Sequence, residues 1–165
     1  MDYNPRIIQK KYQLVPRTVV FIEDGENILL LHKEKKDSFG FNKLNGIGGH
    51  IEKGEDPTEA TRREIFEESG LIIEDLELAA MIFIDIRTNP GILLFVYKAR
   101  YSGGELVDSD EGKLIWIKKS EIEDQKNIVK DIPFLIQLVD KHIPGSNPVI
   151  GKYIYDERGE LRIVI

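Results

Sequence analysis

The segment Pro57–Ser69 is bracketed by helix signals and stands between stretches that read as strands, so helix and sheet must pack on one another. Asp56 and Glu59 have capping-box spacing, with aspartate where Ser or Thr is usual, and Pro57 suits the first helical turn. Gly70 supplies a C-terminal stop. Immediately upstream, Phe39–Ile51 carries Gly40, Gly46, Gly48 and Gly49, which marks a loop or short strand where backbone must approach something closely.

From Arg17 to His32, TVVFIE, DGEN and ILLLH read as two β runs about a turn supplied by Asp24 and Gly25. Beyond the helix, LELAAMIFIDI, GILLFVYKARY and KLIWIKK extend the sheet, divided by Asn89, Pro90 and Gly91 and then by Gly103 and Gly104. Ser120–Asp124 is expected to open a short helix. Ile132–His142 places Phe134, Leu135, Leu138 and Val139 at helical spacing, which predicts a second helix over another part of the sheet. The last segment, VIGKYIYDERGELRIVI, reads as a hairpin turning near Arg158 and Gly159. With 165 residues and no internal repeat, low-complexity tract or linker, one domain is expected over 1–165.

Glu64, Glu67 and Glu68 lie three and four residues apart, on one side of the predicted helix. Like charges at these spacings destabilise a helix by roughly 0.2–0.5 kcal/mol per pair, so the group needs full solvation or a compensating cation. Charge runs are usually solvated surface, and the three glutamates alone fit that reading. The other reading is a metal site. The chain has no cysteine and only His32, His50 and His142, so a metal must be held mainly by oxygen, which favours magnesium, manganese or calcium.

The surrounding text decides between them. The stretch GHIEKGEDPTEATRREIFEESGL resembles the Nudix box: Gly, five residues, Glu, seven residues, Arg, Glu, an aliphatic, any residue, Glu, Glu, any residue, Gly, an aliphatic. Gly49, Glu55, Arg63, Glu64, Ile65, Glu67, Glu68, Gly70 and Leu71 fill those positions without a departure. The resemblance implies an α/β fold, the Nudix α/β/α sandwich with a mixed central sheet and a catalytic loop-helix-loop. It implies Glu64, Glu67 and Glu68 as metal ligands, one of them positioning or deprotonating the attacking water. It also implies a coordinating carbonyl from Gly48 or Gly49, and an Arg63–Glu55 pair that locks loop to helix. The implied cofactor is Mg2+, with Mn2+ as a substitute. Such ions neutralise a diphosphate, lower the pKa of bound water and stabilise the leaving phosphate, so no covalent nucleophile is required.

Within that family, LNGIGGH is similar to the corresponding segment of the MutT branch, which hydrolyses oxidised purine nucleoside triphosphates such as 8-oxo-dGTP. There the Asn45 position helps to read the base; the alternative is that Asn45 only shapes a turn with Gly46. The likeness runs from about Arg17 through VDSDEGKLIWI, where Glu111 falls at the place of a further catalytic, metal-binding carboxylate and Asp108 and Asp110 compete for the role. Asn127 is a candidate purine reader. Lys33 is a candidate phosphate contact, against the plainer reading of a solvated lysine at a strand end. Phe39, Phe41 and Trp116 are candidates for stacking on a base, worth about 1–3 kcal/mol each, although Trp116 also suits sheet packing. His50 either approaches phosphate from the box loop or is an exposed structural histidine. His32 and His142 give no signal.

A net charge of −6 argues against a nucleic-acid polymer as partner, while leaving an anionic small molecule bound through metal open. The expected partner is a small nucleotide, and the expected state a monomer or homodimer. MDYNPRIIQKKYQ has no signal-peptide core and no run reaches membrane-spanning length, which predicts a cytoplasmic protein without a membrane partner. The first functional reading is hydrolysis of a purine or oxidised purine nucleoside triphosphate to monophosphate and pyrophosphate. The second is hydrolysis of ADP-ribose, a dinucleoside polyphosphate or another nucleoside diphosphate derivative, which the box cannot separate because selectivity lies in the loops. A non-catalytic nucleotide-sensing Nudix module would be expected to lose box carboxylates, and this chain keeps them all. An isomerase of the isopentenyl diphosphate type would need a cysteine.

Overall fold

A computed structural model describes residues 11–36, 39–85, 90–155 and 161–165. The strands are β1 (Leu14–Asp24), β2 (Asn27–Lys33), β3 (Leu44–Asn45), β4 (Leu76–Ile84), β5 (Gly91–Arg100), β6 (Gly112–Lys118), β7 (Val149–Tyr155) and β8 (Leu161–Val164); the helices are α1 (Pro57–Ser69) and α2 (Ile132–Lys141). The helix expected at Ser120–Asp124 is a 3-10 turn over Lys119–Glu121. The expected turn residues Asn89, Arg158 and Gly159, and the first ten residues, lie outside the described residues.

The strands form one mixed, open sheet in the order β3-β2-β1-β5-β4-β7-β8, with β6 paired to β2. The β1/β5 and β4/β7 pairs are parallel and the remaining strand pairs antiparallel. Alternation along β1 and β2 divides the core between the two faces of this sheet. Val19, Phe21, Ile28 and Leu30 pack with Ile132, Leu135, Ile136 and Val139 of α2. Val20, Ile22 and Leu29 pack with Ile65 of α1 and with Leu71 and Ile73 beyond it. The layers are therefore helix, sheet, helix.

One irregularity of the sheet builds the site. β1 and β2 pair only at Ile22–Asp24 with Asn27–Leu29, after which they part. Leu31 and His32 pair instead with β3, while Val20 and Arg17 bridge to Ile47 and His50. Residues 44–50 are thus threaded between the two strands. Their backbone is satisfied there by Val20 N–H donating to the Ile47 carbonyl (2.8 Å) and Thr18 N–H donating to that of Gly49 (2.9 Å). At Gly48, where φ is 147°, a Cβ would overlap the Thr18 carbonyl, so glycine is required.

The helix that follows is fixed at both ends. Asp56 accepts from the Thr58 and Glu59 N–H groups while Glu59 accepts from the Asp56 N–H, and Gly70, in the left-handed region at φ 72°, donates to the Phe66 carbonyl. A hydrogen bond between the buried Thr18 and Thr61 hydroxyls ties α1 to β1. Among the described residues no helix is long and apolar enough to cross a membrane.

Candidate active site

α1 turns a polar edge toward the threaded loop. Glu68, only 3% exposed, accepts at one carboxylate oxygen from the Gly48 N–H (2.9 Å) and at the other from Lys33 Nζ (3.0 Å). Lys33, at the end of β2, is 7% exposed, and its ammonium also meets Glu111 at 3.3 Å. A solvated strand-end lysine is therefore not what the fold makes of it. Lys35 hydrogen-bonds the other Glu111 oxygen.

Arg63 does the equivalent work along the rest of the helix. Its Nε and Nη2 donate to the two oxygens of Glu55 at 2.6 and 2.9 Å, and Nη2 also reaches the His50 carbonyl at 3.0 Å. Its Nη1 donates to Glu64 at 2.9 Å and to Glu67 at 3.1 Å. One planar guanidinium thus joins loop to helix and offsets two of the three glutamates. The repulsion read from the sequence is compensated by Arg63 and Lys33.

These environments pull the acids apart. Burial pushes the Glu64 and Glu68 carboxyls above the usual range, against Arg63 and Lys33 respectively. Glu55 is held down to about 2 by its hydrogen bonds from Arg63 and from the Glu52 N–H, and Arg63 is raised in return. Burial pushes Glu111 up as well, but the hydrogen bonds from Lys35 and Lys33 prevail and hold it below the usual range.

Among the described residues, no three His, Cys, Asp or Glu side chains are gathered closely enough to hold an ion as they stand. Glu64 and Glu67 point to Arg63, and Glu68 and Glu111 to Lys33. The donors are nonetheless all hard oxygen, and Gly49 leaves a cradle beside Glu64 that a Cβ would fill. That chemistry fits a hard divalent cation. Of the two candidate carbonyls, the one at Gly49 accepts from Thr18 N–H, which leaves it one free lone pair.

Two depressions meet at the threaded loop. A groove of about 910 Å³ is lined by Glu64, Glu67, Glu68, Lys33 and Glu111. A cavity of about 300 Å³ next to it is walled by apolar side chains, among them Ile84, Ile92, Leu94, Ile132 and Leu135. Arg17, Phe39, Asn45 and Gly48 line both. The Asn45 side-chain amide oxygen accepts from the Gly46 N–H at 2.9 Å, so this residue shapes the turn and lines the cavity at once.

The other candidates separate. Phe39 stands exposed at the mouth of both depressions, whereas Phe41 is exposed and lines neither. Trp116 packs edge-on against Tyr101, ring centres 5.3 Å apart, in the core on the α1 side. Asp108 accepts from Leu114 N–H at 2.9 Å, and Asp110 lines the groove beside Glu111. His50 lines the groove, its imidazole pulled down by burial and by Arg17. His32 and His142 stand 3.7 and 3.6 Å from Glu34 and Glu77, respectively. Asn127, expected as a purine reader, is exposed and lines neither depression; its backbone carbonyl accepts from Leu44 N–H at 2.7 Å.

Three residues that sequence reading passed over line the cavity: Arg17, Asp131 and Tyr153. Burial pushes the Asp131 carboxyl up. The Tyr153 hydroxyl is buried without a well-formed hydrogen bond, and burial and the neighbouring Asp131 raise it above its usual range. Arg17 carried a signal, a charge at the head of a β run; Asp131 and Tyr153 carried none that separates them from loop and strand.

A model of the NUDIX domain matches residues 13–138. An oxidized purine nucleoside triphosphate hydrolase of Danio rerio is 30% identical over 123 residues, 72% of this chain and 77% of that protein. Among solved structures, a MutT protein from Bacillus halodurans superposes with a TM-score of 0.67 at 28% identity, covering 91% of this chain and 97% of the other. A MutT protein from Methanosarcina mazei shares the fold at a TM-score of 0.69 and 16% identity, over 79% and 96% of the two chains. With the loop-helix-loop and its carboxylates in place, the chain belongs to the Nudix family of hydrolases.

Proposed function

We propose that this chain hydrolyses a phosphoanhydride bond of a purine nucleoside triphosphate, with oxidised purines such as 8-oxo-dGTP included, in the presence of Mg2+ or Mn2+. The products are a nucleoside monophosphate and pyrophosphate. The observation that carries this reading is the apolar cavity opening beside the carboxylate groove, with Arg17, Phe39, Asn45 and Gly48 shared between them. A planar base suits the first and a polyphosphate the second. The names of the relatives in Danio rerio and Mus musculus, oxidized purine nucleoside triphosphate hydrolases, support the same substrate class.

In this reading Glu64, Glu67, Glu68, Glu111 and the Gly48 carbonyl hold the metal. When bound, it supplies charge neutralisation of the phosphates and a more acidic water. The chain's own groups do the rest. Arg63, anchored on Glu55, sets the orientation of Glu64 and Glu67; the Gly48 N–H fixes Glu68; one of these glutamates orients or deprotonates the attacking water. Lys33, which lines the groove, is the candidate contact to the phosphates. The Asn45 amide, its oxygen taken by Gly46, offers its N–H donors to the base edge, and Asp131 stands in the cavity wall where Asn127 does not.

Kinetics of Asn45→Ala test the base contact. Leaving one acceptor of a bound purine unpaired costs roughly 1–3 kcal/mol, so kcat/KM for purine triphosphates is expected to fall about ten- to a hundredfold. Pyrimidine triphosphates are expected to lose less. An equal loss for every substrate would leave Asn45 a loop-shaping residue only.

A further inference from the structure

We infer that Arg17 is the residue that grips the phosphate nearest the nucleoside, at the seam where the base cavity meets the polyphosphate groove. The inference rests on the nucleotide reading above. Arg17 lies on β1, its backbone fixed by a bridge to His50 and by the neighbouring Thr18 to Gly49 hydrogen bond. It lines both depressions, and Glu64 and Glu68 are the carboxylates whose charges it feels.

What sets it apart is that it is half-buried and yet no carboxylate of the described residues engages it directly. Arg63 is engaged by Glu55, Glu64 and Glu67, Lys33 by Glu68 and Glu111, and Lys35 by Glu111. The Arg17 guanidinium, half-buried, forms no hydrogen bond or ion pair with a described residue, and burial makes its proton less tightly held than usual. A desolvated cation without a partner is unfavourable by itself. An incoming anion relieves that cost, and a planar fork of donors matches two phosphate oxygens. Glu64 and Glu68 cannot serve this purpose while they are held by Arg63 and Lys33 or by a metal.

Position identifies which phosphate. A base seated in the apolar cavity puts its own ribose and first phosphate at the seam, and the outer phosphates deeper in the groove. That first phosphate stays on the monophosphate product, so product binding reports on Arg17 without any turnover.

The experiment measures binding of GMP, 8-oxo-dGMP and their nucleosides, by calorimetry with Mg2+, to the full chain and to its Arg17→Gln and Arg17→Lys variants. In the unaltered protein the monophosphates are expected to bind at least about tenfold tighter than the nucleosides, a typical yield of charge-assisted hydrogen bonds. Arg17→Gln is expected to erase that advantage while nucleoside affinity stays within about twofold, and Arg17→Lys to restore part of it. Comparing two ligands within one variant cancels any uniform loss of folded protein. Persistence of the monophosphate advantage in Arg17→Gln would overturn the assignment, as would an equal loss for nucleoside, which would mean that Arg17 stacks on the base or only supports the cavity. If neither ligand binds the unaltered chain, the purine reading itself fails and takes this inference with it, whereas a bound monophosphate that ignores Arg17 leaves the purine reading standing.

Discussion

Glu68 is a carboxylate that the fold buries, and its two direct partners, one ammonium and one backbone N–H, offset part of that burial. Glu68→Gln keeps its shape but removes a charged oxygen ligand. Because bound metal contributes several kcal/mol to such chemistry, turnover is expected to fall at least about a hundredfold with melting little changed. Near-normal turnover would sink the metal assignment. The Arg63–Glu55 pair makes a separate prediction in pH. The folded Glu55 sits at about 2 against an ordinary 4.5, a depressed carboxylate, so its contribution is complete above about 4.5 and disappears as pH falls toward 2. Glu55→Gln is therefore expected to melt lower at neutral pH and to show a flatter acid limb, the two proteins converging near pH 2; parallel melting curves would show that the pair does not stabilise the fold. The spacing of Glu64, Glu67 and Glu68 was legible as sequence because a helix repeats locally. Arg17 showed only as a charge at the head of a β run, and Asp131 and Tyr153 showed nothing, since what gives them meaning is a neighbour on another strand or a cavity wall.

At the level of elements, α1 was readable to its ends because its caps are local chemistry. Asp56, Pro57, Glu59 and Gly70 each act within a turn of their own position. The short helix expected at Ser120–Asp124 is a 3-10 turn over Lys119–Glu121, because polar residues in that stretch carry no periodic signal that sets its bounds. The threaded segment 44–50 was legible as a glycine-rich approach, but not what it approached. Gly49→Ala tests that element. A Cβ there would displace the Glu64 carboxylate rather than any core side chain, so activity is expected to drop by tenfold or more with the melting temperature nearly preserved. Loss of stability with intact specific activity would mean that this glycine serves the loop and not the site.

For the molecule as a whole, the decisive feature is the parting of β1 from β2, which admits the loop and so joins an apolar cavity to an acidic groove. No single stretch of sequence encodes this. It depends on the parallel β1/β5 and β4/β7 pairs, which bring Ile84, Ile92, Leu94 and Tyr153 to one wall from distant parts of the chain. The family could be read from a box of contiguous residues; the substrate class depends on that assembled wall. The direct measurement is kcat/KM with Mg2+, products identified, for canonical and oxidised purine and pyrimidine nucleoside triphosphates, ADP-ribose and dinucleoside polyphosphates. A purine or oxidised purine triphosphate is expected to rank first, giving monophosphate and pyrophosphate in equal amounts, with activity lost on chelation and restored by Mg2+ or Mn2+. A higher kcat/KM for ADP-ribose or a dinucleoside polyphosphate, or turnover that survives chelation, would contradict the account.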